Sequence, residues 1–403
     1  HTEETLNSLT TVWGEALDVS NVLPEHPRPR LRRDKYAMLN GVWEYAIVPV
    51  EGKVDAETLS QQEIPSRWDG QIVVPFSPEA PLSGVGRTVL PSELLWYRRK
   101  IDLPKLVDDQ RLILHFDAVD WMCACFVNGK LVGMHTGGYL PFSFDITDLL
   151  GSAEVGESAT ESAAEVATAA DAVPGTSTAE LVLCVWDPSD TGSQLRGKQR
   201  LSRGDIWYTA QSGIWQSVWY EVVSAAHLES LTLKGDMFGV LEVKTNVQVS
   251  GPKSAQSSAR ASALELELAL KDELGQDVLL ARLPVSEAGE ICVNLQVDEP
   301  QLWSPERPYL YFVEATLWQD GAAVDFVRSY CAFRIVEVKP DEAGVPRVHL
   351  NGAPYFVRGV LDQGYWPDGL LTAPSDDALV YDIEAMKSAG FNTLRKHIKI
   401  ESE

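Results

Sequence analysis

The residues able to do chemistry are sparse and mostly isolated. Seven His are scattered with no metal-ligand spacing, and neither CxxC nor HExxH occurs. Five Cys are too few and odd in number for a disulfide framework. Cys123 and Cys125 sit two apart, so on a strand they share one face and read as reduced and buried. Two carboxylate pairs invite an acid/base reading. Asp376 and Asp377 follow Ser375 and are accounted for as the acidic first turn of a helix that Ser375 caps. Glu401 and Glu403 have no apolar wall beside them in sequence to desolvate one and raise its pKa, as an acid role requires. Neither pair is read as catalytic.

The elements that would position a site are strands. Most of the first 338 residues are short alternating runs separated by turn signals, the pattern of β-sandwiches. Val42–Ile47 alternates, and Leu112, Leu114 and Phe116 share a face. Asn128-Gly129 between Met122–Val127 and Lys130–Met134 predicts a type I′ hairpin. Residues 151–179 hold no aromatic side chain and little apolar surface to offset their ordering entropy. They read as a disordered insertion within the first sandwich. A second sandwich starts near Ala225, where Leu264–Leu270 alternates strictly, and the Ser-rich stretch 250–262 reads as a loop inside it.

After Val338 the pattern changes. Tyr355–Leu361 is an apolar run expected of a strand buried on both faces. A helix opens at Ser375, carries Leu379, Ile383 and Met386 on one stripe, and stops at Gly390. Phe391–Ile400 then reads as a second strand. Strand, helix, strand is one βαβ unit of a parallel sheet, and by itself it leaves an edge and an apolar face uncovered. More chain is expected to follow it, and these last residues are expected to be strained, poorly ordered or packed against another molecule.

Composition limits partners. A net charge of −24 argues against a surface for phosphate backbones or anionic membranes, and the longest apolar runs are strand-length. A neutral ligand is compatible with this charge, and so is a homo-oligomer. The unpaired Cys favour a cytoplasmic compartment.

Several segments fall in one order: His26-Pro-Arg-Pro-Arg30, Leu39-Asn-Gly-Val-Trp-Glu-Tyr45, Val74-Pro-Phe-Ser77, Leu95-Trp-Tyr-Arg-Arg99, Phe116-Asp-Ala-Val-Asp-Trp121, Phe126-Val-Asn-Gly129 and Gly137–Asp145. Ser212-Gly-Ile-Trp-Gln216, Leu302-Trp-Ser-Pro305 and Pro308-Tyr-Leu-Tyr311 follow. Together they resemble glycoside hydrolase family 2, the β-galactosidase and β-glucuronidase family, over almost the whole chain. The resemblance implies a jelly-roll sugar-binding domain (1–223), an immunoglobulin-like domain (224–338) and the start of a (β/α)8 TIM barrel (339–403), a mainly β chain. Asn351–Val360 and Ala389–Arg395 are similar to the first two barrel strands.

It also implies a retaining hydrolase of terminal β-linked sugars, with two carboxyl groups about 5 Å apart, both Glu on later barrel strands and one preceded by Asn. No Asn-Glu pair occurs in these residues, so no catalytic residue is assigned and the fragment is expected to be inactive. A carbohydrate is the expected partner, with no cofactor and no metal. Arg395 matches the Arg of the family's Asn-x-x-Arg-x-x-His stretch, where it would orient the nucleophile. His397 matches imperfectly, coming two residues after Arg395 and not three. Where many members carry Asn-x-His after the first strand, this chain has Leu361-Asp362-Gln363 and then Trp366, which departs from the usual galactosidase and glucuronidase pattern. Asp362 would bond sugar hydroxyls and Trp366 would stack on a pyranose. Asp205 and Trp207, in the loop before Ser212, are the candidates for a first-domain contribution to the barrel mouth. The alternative is a stand-alone carbohydrate-binding module, which would not need the βαβ end.

Overall fold

The computed structural model describes residues 9–107, 109–150, 177–249, 263–285 and 289–403. The stretches 151–176 and 250–262, read from sequence as an insertion and a loop, lie outside the described residues. Residues 177–179 are part of the strand Ser177–Trp186, so the insertion is shorter than expected at that end.

Two sheets enclose the first core. A six-stranded sheet runs Gly70–Val74, Gly41–Pro49, Glu93–Leu103, Ser177–Trp186, Met122–Val127, Lys130–Thr136 in spatial order. A four-stranded sheet of Tyr36–Met38, Val218–Ser224, Gln110–Phe116 and Phe142–Asp145 faces it. Between them lie Trp43, Tyr97, Leu112, Leu114, Phe116, Cys123, Cys125 and Leu183. Each such side chain contributes roughly 1.5–3 kcal/mol by leaving water.

The hairpin falls as the turn chemistry requires, with Asn128 at φ 50° and Gly129 at φ 74°. Cys123 and Cys125 are free and buried on one face. Every residue of Met122–Val127 is buried, however, because the outer face of this sheet is also covered. Trp96, Phe126, Val182 and Cys184 pack there under Leu59. Leu59 belongs to a short helix, Ala56–Ser60, that the strand-dominated sequence pattern conceals. Its signal is local: the Asp55 side chain accepts from Thr58 N while Asp55 N donates to Thr58 Oγ1, a capping box.

The second sandwich pairs a three-stranded sheet (Ala226–Gly235, Val240–Val249, Gly289–Gln296) with a four-stranded one (Asp277–Val285, Leu264–Lys271, Tyr311–Gln319, Ala322–Cys331). Leu264–Lys271 alternates buried and half-buried along its full length. Leu31, from the N-terminal side of the first sandwich, is buried in this second core. Beside it Arg33 joins the two sandwiches. Its guanidinium donates to Asp325 at 2.8 and 2.9 Å, to Glu221 at 2.9 Å and to Leu228 O at 2.6 Å, all out of water.

Beyond the second sandwich a small antiparallel sheet, Val336–Pro340, Pro346–Leu350 and Ala353–Pro354, precedes the parallel pair. That pair is Gly359–Asp362 and Thr393–Lys396, in register Asp362 to Lys396, with the helix Asp376–Ser388 between them in sequence. Ser375 caps the helix as expected. Both strands are shorter than the apolar runs suggested, and the first is not buried on both faces. Phe356 is 80% exposed and Leu361 51%. The reason is geometric, since among the described residues each strand has one neighbour and one helix lies nearby. Ile383 of the expected helical stripe is likewise exposed, and Ala378 is the helix's buried residue.

Candidate functional site

In a parallel sheet served by crossover helices, ligands collect at the carboxyl ends of the strands, where loops diverge. Here those ends are Asp362 and Lys396, directly opposite in register. Lys396 Nζ donates to Asp362 Oδ2 at 2.6 Å and lies 2.6 Å from Glu401 Oε1. Lys399, whose side chain is almost wholly buried, donates to Gly364 O at 2.8 Å and lies 2.9 Å from the same Glu401 oxygen. The result is an alternating row of two carboxylates and two ammonium groups across the strand ends. Burial works to raise the Asp362 pKa, but the hydrogen bonds from Lys396 and Gly364 N and the nearby ammonium charges outweigh it and hold the carboxyl below its ordinary value. Burial lowers the Lys399 pKa, opposed by Glu401.

Loops of the first sandwich form the opposite wall. Tyr208 stacks on Tyr365 with centroids 4.0 Å apart. Gly197 sits so close to the segment after the second strand that a Cβ there would lie 2.9 Å from Ile398 O. Gln199 is buried, donating from Nε2 to Tyr139 Oη and accepting from Gln211 N. Gln211 in turn accepts from Leu371 N, and Thr372 Oγ1 donates to Trp215 O, so the segment after the first parallel strand is docked by hydrogen bonds onto the first sandwich. Beside the strand ends a cavity of about 110 Å³ is bordered by His26, Asp117, Trp215, Thr372, Asp376 and Glu401. That is too small for a complete small-molecule site, for which about 300–1,000 Å³ is usual.

The residues singled out from sequence divide in this geometry. Asp362 is at the strand end, engaged by Lys396. Arg395 is one residue before Lys396 and therefore on the other side of its strand; it is exposed, with no ion pair among the described residues. His397 is half-buried, and its backbone N donates to Asp362 O at 2.8 Å. Trp366 does not offer its ring to a ligand. It is 8% exposed and packs edge-on against Trp13 at 6.2 Å, beside Ala373 and Ala378. Asp205 is exposed at the tip of a turn closed by mutual backbone hydrogen bonds of Gly204 and Trp207. Trp207 lies under the Arg200 guanidinium, 3.9 Å from its ring centroid. Sequence reasoning missed Lys396, Lys399, Tyr208 and Tyr365. Only the first had a local signal, since aligning the two strands by their apolar positions sets Lys396 against Asp362.

A second group of carboxyls looks catalytic by acidity but not by access. Glu79, Asp120 and Asp187 are all under 9% exposed. Burial pushes Glu79 up to about 8, Asp187 to about 6 and Asp120 well above its ordinary value. Ser212 Oγ donates to Asp187 at 2.7 Å, and Val89 N and Ser212 N donate to Glu79. Being enclosed, they have no route to a substrate. Among the described residues no group of three or more His, Cys, Asp and Glu could hold a metal ion, and no helix is long and apolar enough to cross a membrane.

Comparison with known proteins places this architecture. The description "Glycosyl hydrolases family 2, sugar binding domain" matches residues 36–159, and "Glycosyl hydrolases family 2" matches residues 226–334. The chain belongs to glycosyl hydrolase family 2. This family 2 chain is 22% identical to a β-galactosidase of Thermoanaerobacter pseudethanolicus over 66% of its own length and 31% of the relative's. It is 24% identical to a β-galactosidase of Lactobacillus delbrueckii subsp. bulgaricus, covering 86% of itself and 30% of that protein. Among solved structures, the β-glucuronidase of Bacteroides uniformis superposes with a TM-score of 0.63 at 22% identity, over 91% of this chain and 40% of that one. The family 2 chain thus spans about a third of the length of these curated relatives.

Proposed function

We propose that this family 2 chain supplies the two accessory β-sandwiches and the opening strand–helix–strand of the (β/α)8 barrel of a retaining glycoside hydrolase acting on terminal β-linked sugars. The domains are a jelly roll over 1–223, an immunoglobulin-like sandwich over 224–338 and the barrel from 339 onward. The observation that carries this is the parallel pair Gly359–Asp362 and Thr393–Lys396, with loops of the first sandwich set against its carboxyl ends. In this reading Asp362 hydrogen-bonds sugar hydroxyls, and His397, whose backbone N bonds Asp362 O, lines the next stretch of the pocket. Asp205 and Trp207 stand on the loop that reaches it from the first sandwich, and Trp366 braces the helix.

The catalytic carboxylate pair lies outside these residues. Retaining hydrolysis needs one ionised carboxylate and one kept protonated near neutral pH. Lys396 holds the Asp362 pKa below its ordinary value, and Glu401 sits between two ammonium groups. Glu79 and Asp120, whose pKa values burial raises, are enclosed. Asp117, raised by burial to about 7 at the edge of the small cavity, stands on the first sandwich and not on a barrel strand.

The purified chain, given nitrophenyl β-galactoside and β-glucuronide, is expected to release no nitrophenol above the buffer rate. The protein encoded by the complete gene is expected to hydrolyse one of them with retention, seen as the β-anomer in early NMR spectra. Turnover by this chain that disappears with Asp362→Asn, or inversion by the complete protein, would refute the reading. A binding module without an enzyme attached is the outcome if the complete protein binds glycosides and cleaves none.

A further inference from the structure

We propose that Thr11 and Asp368 are positioning residues. They latch the N-terminal segment, residues 10–23, onto the loop that leaves the first parallel strand, and this latch sets the place of Gly364 against Asp362 at the strand ends. Only the consequence for a sugar rests on the function proposed above; the latch is a property of this chain.

Thr11 precedes both sandwiches in sequence, yet its bonds run to the other end of the chain. Its backbone N and its Oγ1 each donate to Asp368 Oδ2 at 2.7 Å. The same Oγ1 accepts from Gly14 N at 2.9 Å and so caps the short helix Val12–Glu15. Asp368 is wholly buried, and among the described residues its carboxylate takes both of its hydrogen bonds from Thr11. The other oxygen, Oδ1, has no partner. A carboxylate out of water thus depends on one residue for its donors.

Packing ties the segment to this place. A Cβ on Gly14 would lie 2.1 Å from Asp368 Oδ2, so no larger residue allows the helix to come this near. Trp13 stands edge-on to Trp366 and 5.1 Å from Tyr381 of the helix Asp376–Ser388. Further along, Val22 is buried with Phe76 and Ala80 of the first sandwich.

The latch acts on the strand ends through a tight turn. Asp368 lies at the tip of the turn that Trp366 and Leu370 close with mutual backbone hydrogen bonds of 2.8 and 3.1 Å. Two residues before that turn, Gly364 N donates to Asp362 Oδ1 at 2.7 Å and Gly364 O accepts from Lys399. Gln211 and Trp215 hold the far side of the loop at Leu371 and Thr372. The latch holds the near side. A loop fixed in this way has little ordering entropy left to lose when a ligand arrives at the strand ends.

The test uses the full chain, with amide exchange read by mass spectrometry and Asp362 titrated through its carboxyl 13C shift. Thr11→Val removes the hydroxyl at nearly constant shape, and Gly14→Ala crowds Asp368 without removing a donor. Both are expected to speed exchange over residues 363–372 by about tenfold, the effect on local opening of losing a hydrogen bond to a charged group. Both are also expected to move the Asp362 midpoint upward, because Gly364 N is drawn away. Thr11→Ser keeps the hydroxyl and is expected to match the parent chain in both measurements. Parent-like exchange and titration in Thr11→Val and Gly14→Ala overturn the inference. Faster loop exchange with an unmoved Asp362 midpoint also overturns it, since the segment would then cover the loop without positioning it, and so does faster exchange spread through both sandwiches. Glycoside turnover by the complete protein reads the function separately: its absence leaves the latch standing, and a failed latch leaves the function untouched.

Discussion

Tyr208 and Tyr365 lie ring on ring, with centroids 4.0 Å apart and planes 21° from parallel, and join the first sandwich to the segment that follows the first parallel strand. The contact stands beside the buried hydrogen bonds from Leu371 N to Gln211 and from Thr372 Oγ1 to Trp215 O, which join the same parts of the chain. A double-mutant cycle through Tyr208→Ala and Tyr365→Ala should return a coupling of about 1 kcal/mol in denaturant unfolding, the usual worth of an offset aromatic pair. Strictly additive losses would mean that the stack contributes nothing beyond burial.

Gly197 gives a second handle on the same link. Its φ of 61° suits Gly, and a Cβ would meet Ile398 O. Gly197→Ala should cost roughly 1–3 kcal/mol. More specifically, it should speed amide exchange over Thr393–Ile400 while leaving the second sandwich unchanged, measured by hydrogen exchange with mass spectrometry. Unchanged exchange at those amides would place the loop away from the strand ends.

The joint between the sandwiches is predicted to be brittle. Arg33 answers two buried carboxylates, and although burial opposes it, His115 and Arg33 hold Glu221 well below its usual range. Arg33→Met leaves Glu221 and Asp325 without their cation. It should remove about 3–5 kcal/mol of stability in urea titrations. A loss under 1 kcal/mol would show that water reaches the pair.

Glu79 sets an unusual direction of pH dependence. Burial raises its pKa from 4.5 in the unfolded chain to about 8 in the folded one, so between those values the native state holds a proton that the unfolded state has released. Stability therefore falls as pH rises from 4.5 to 8, and Asp187 adds to the fall over the lower part of that window. Glu79→Gln should flatten the slope of Tm against pH across that interval. An unaltered slope would assign it to other groups.

Lys396→Met should raise the Asp362 pKa toward or above its ordinary value, readable from the carboxyl 13C shift. With Lys396 present, the depressed pKa contributes stability above the ordinary Asp range that is lost as pH falls through the folded value. The half-exposed pair should be worth about 1 kcal/mol or less. A titration curve identical to that of the parent chain would show that Gly364 N, not Lys396, controls Asp362.

Much of the scaffold was legible before any coordinates. Strict alternation at Leu264–Leu270, the Asn128-Gly129 turn and the cap at Ser375 each follow from local rules of side-chain direction and backbone φ, and each appears where expected. The site was legible only in part. Asp362 stands at a strand end, whereas Trp366, an aromatic residue in a loop, could equally have faced a ligand or a core. Its place against Trp13 depends on residues more than three hundred positions away.

What the sequence determined by itself is the series of sandwich strands, their order, the strand–helix–strand that follows them and the resemblance to family 2, because periodicity and turn chemistry act over a few residues. Tertiary structure alone decided that Glu79, Asp120 and Asp187 are enclosed, that Trp366 packs against Trp13, and that the Tyr208 and Tyr365 rings meet. Those outcomes depend on register and burial. Both are set by pairing between distant segments, which no local pattern encodes.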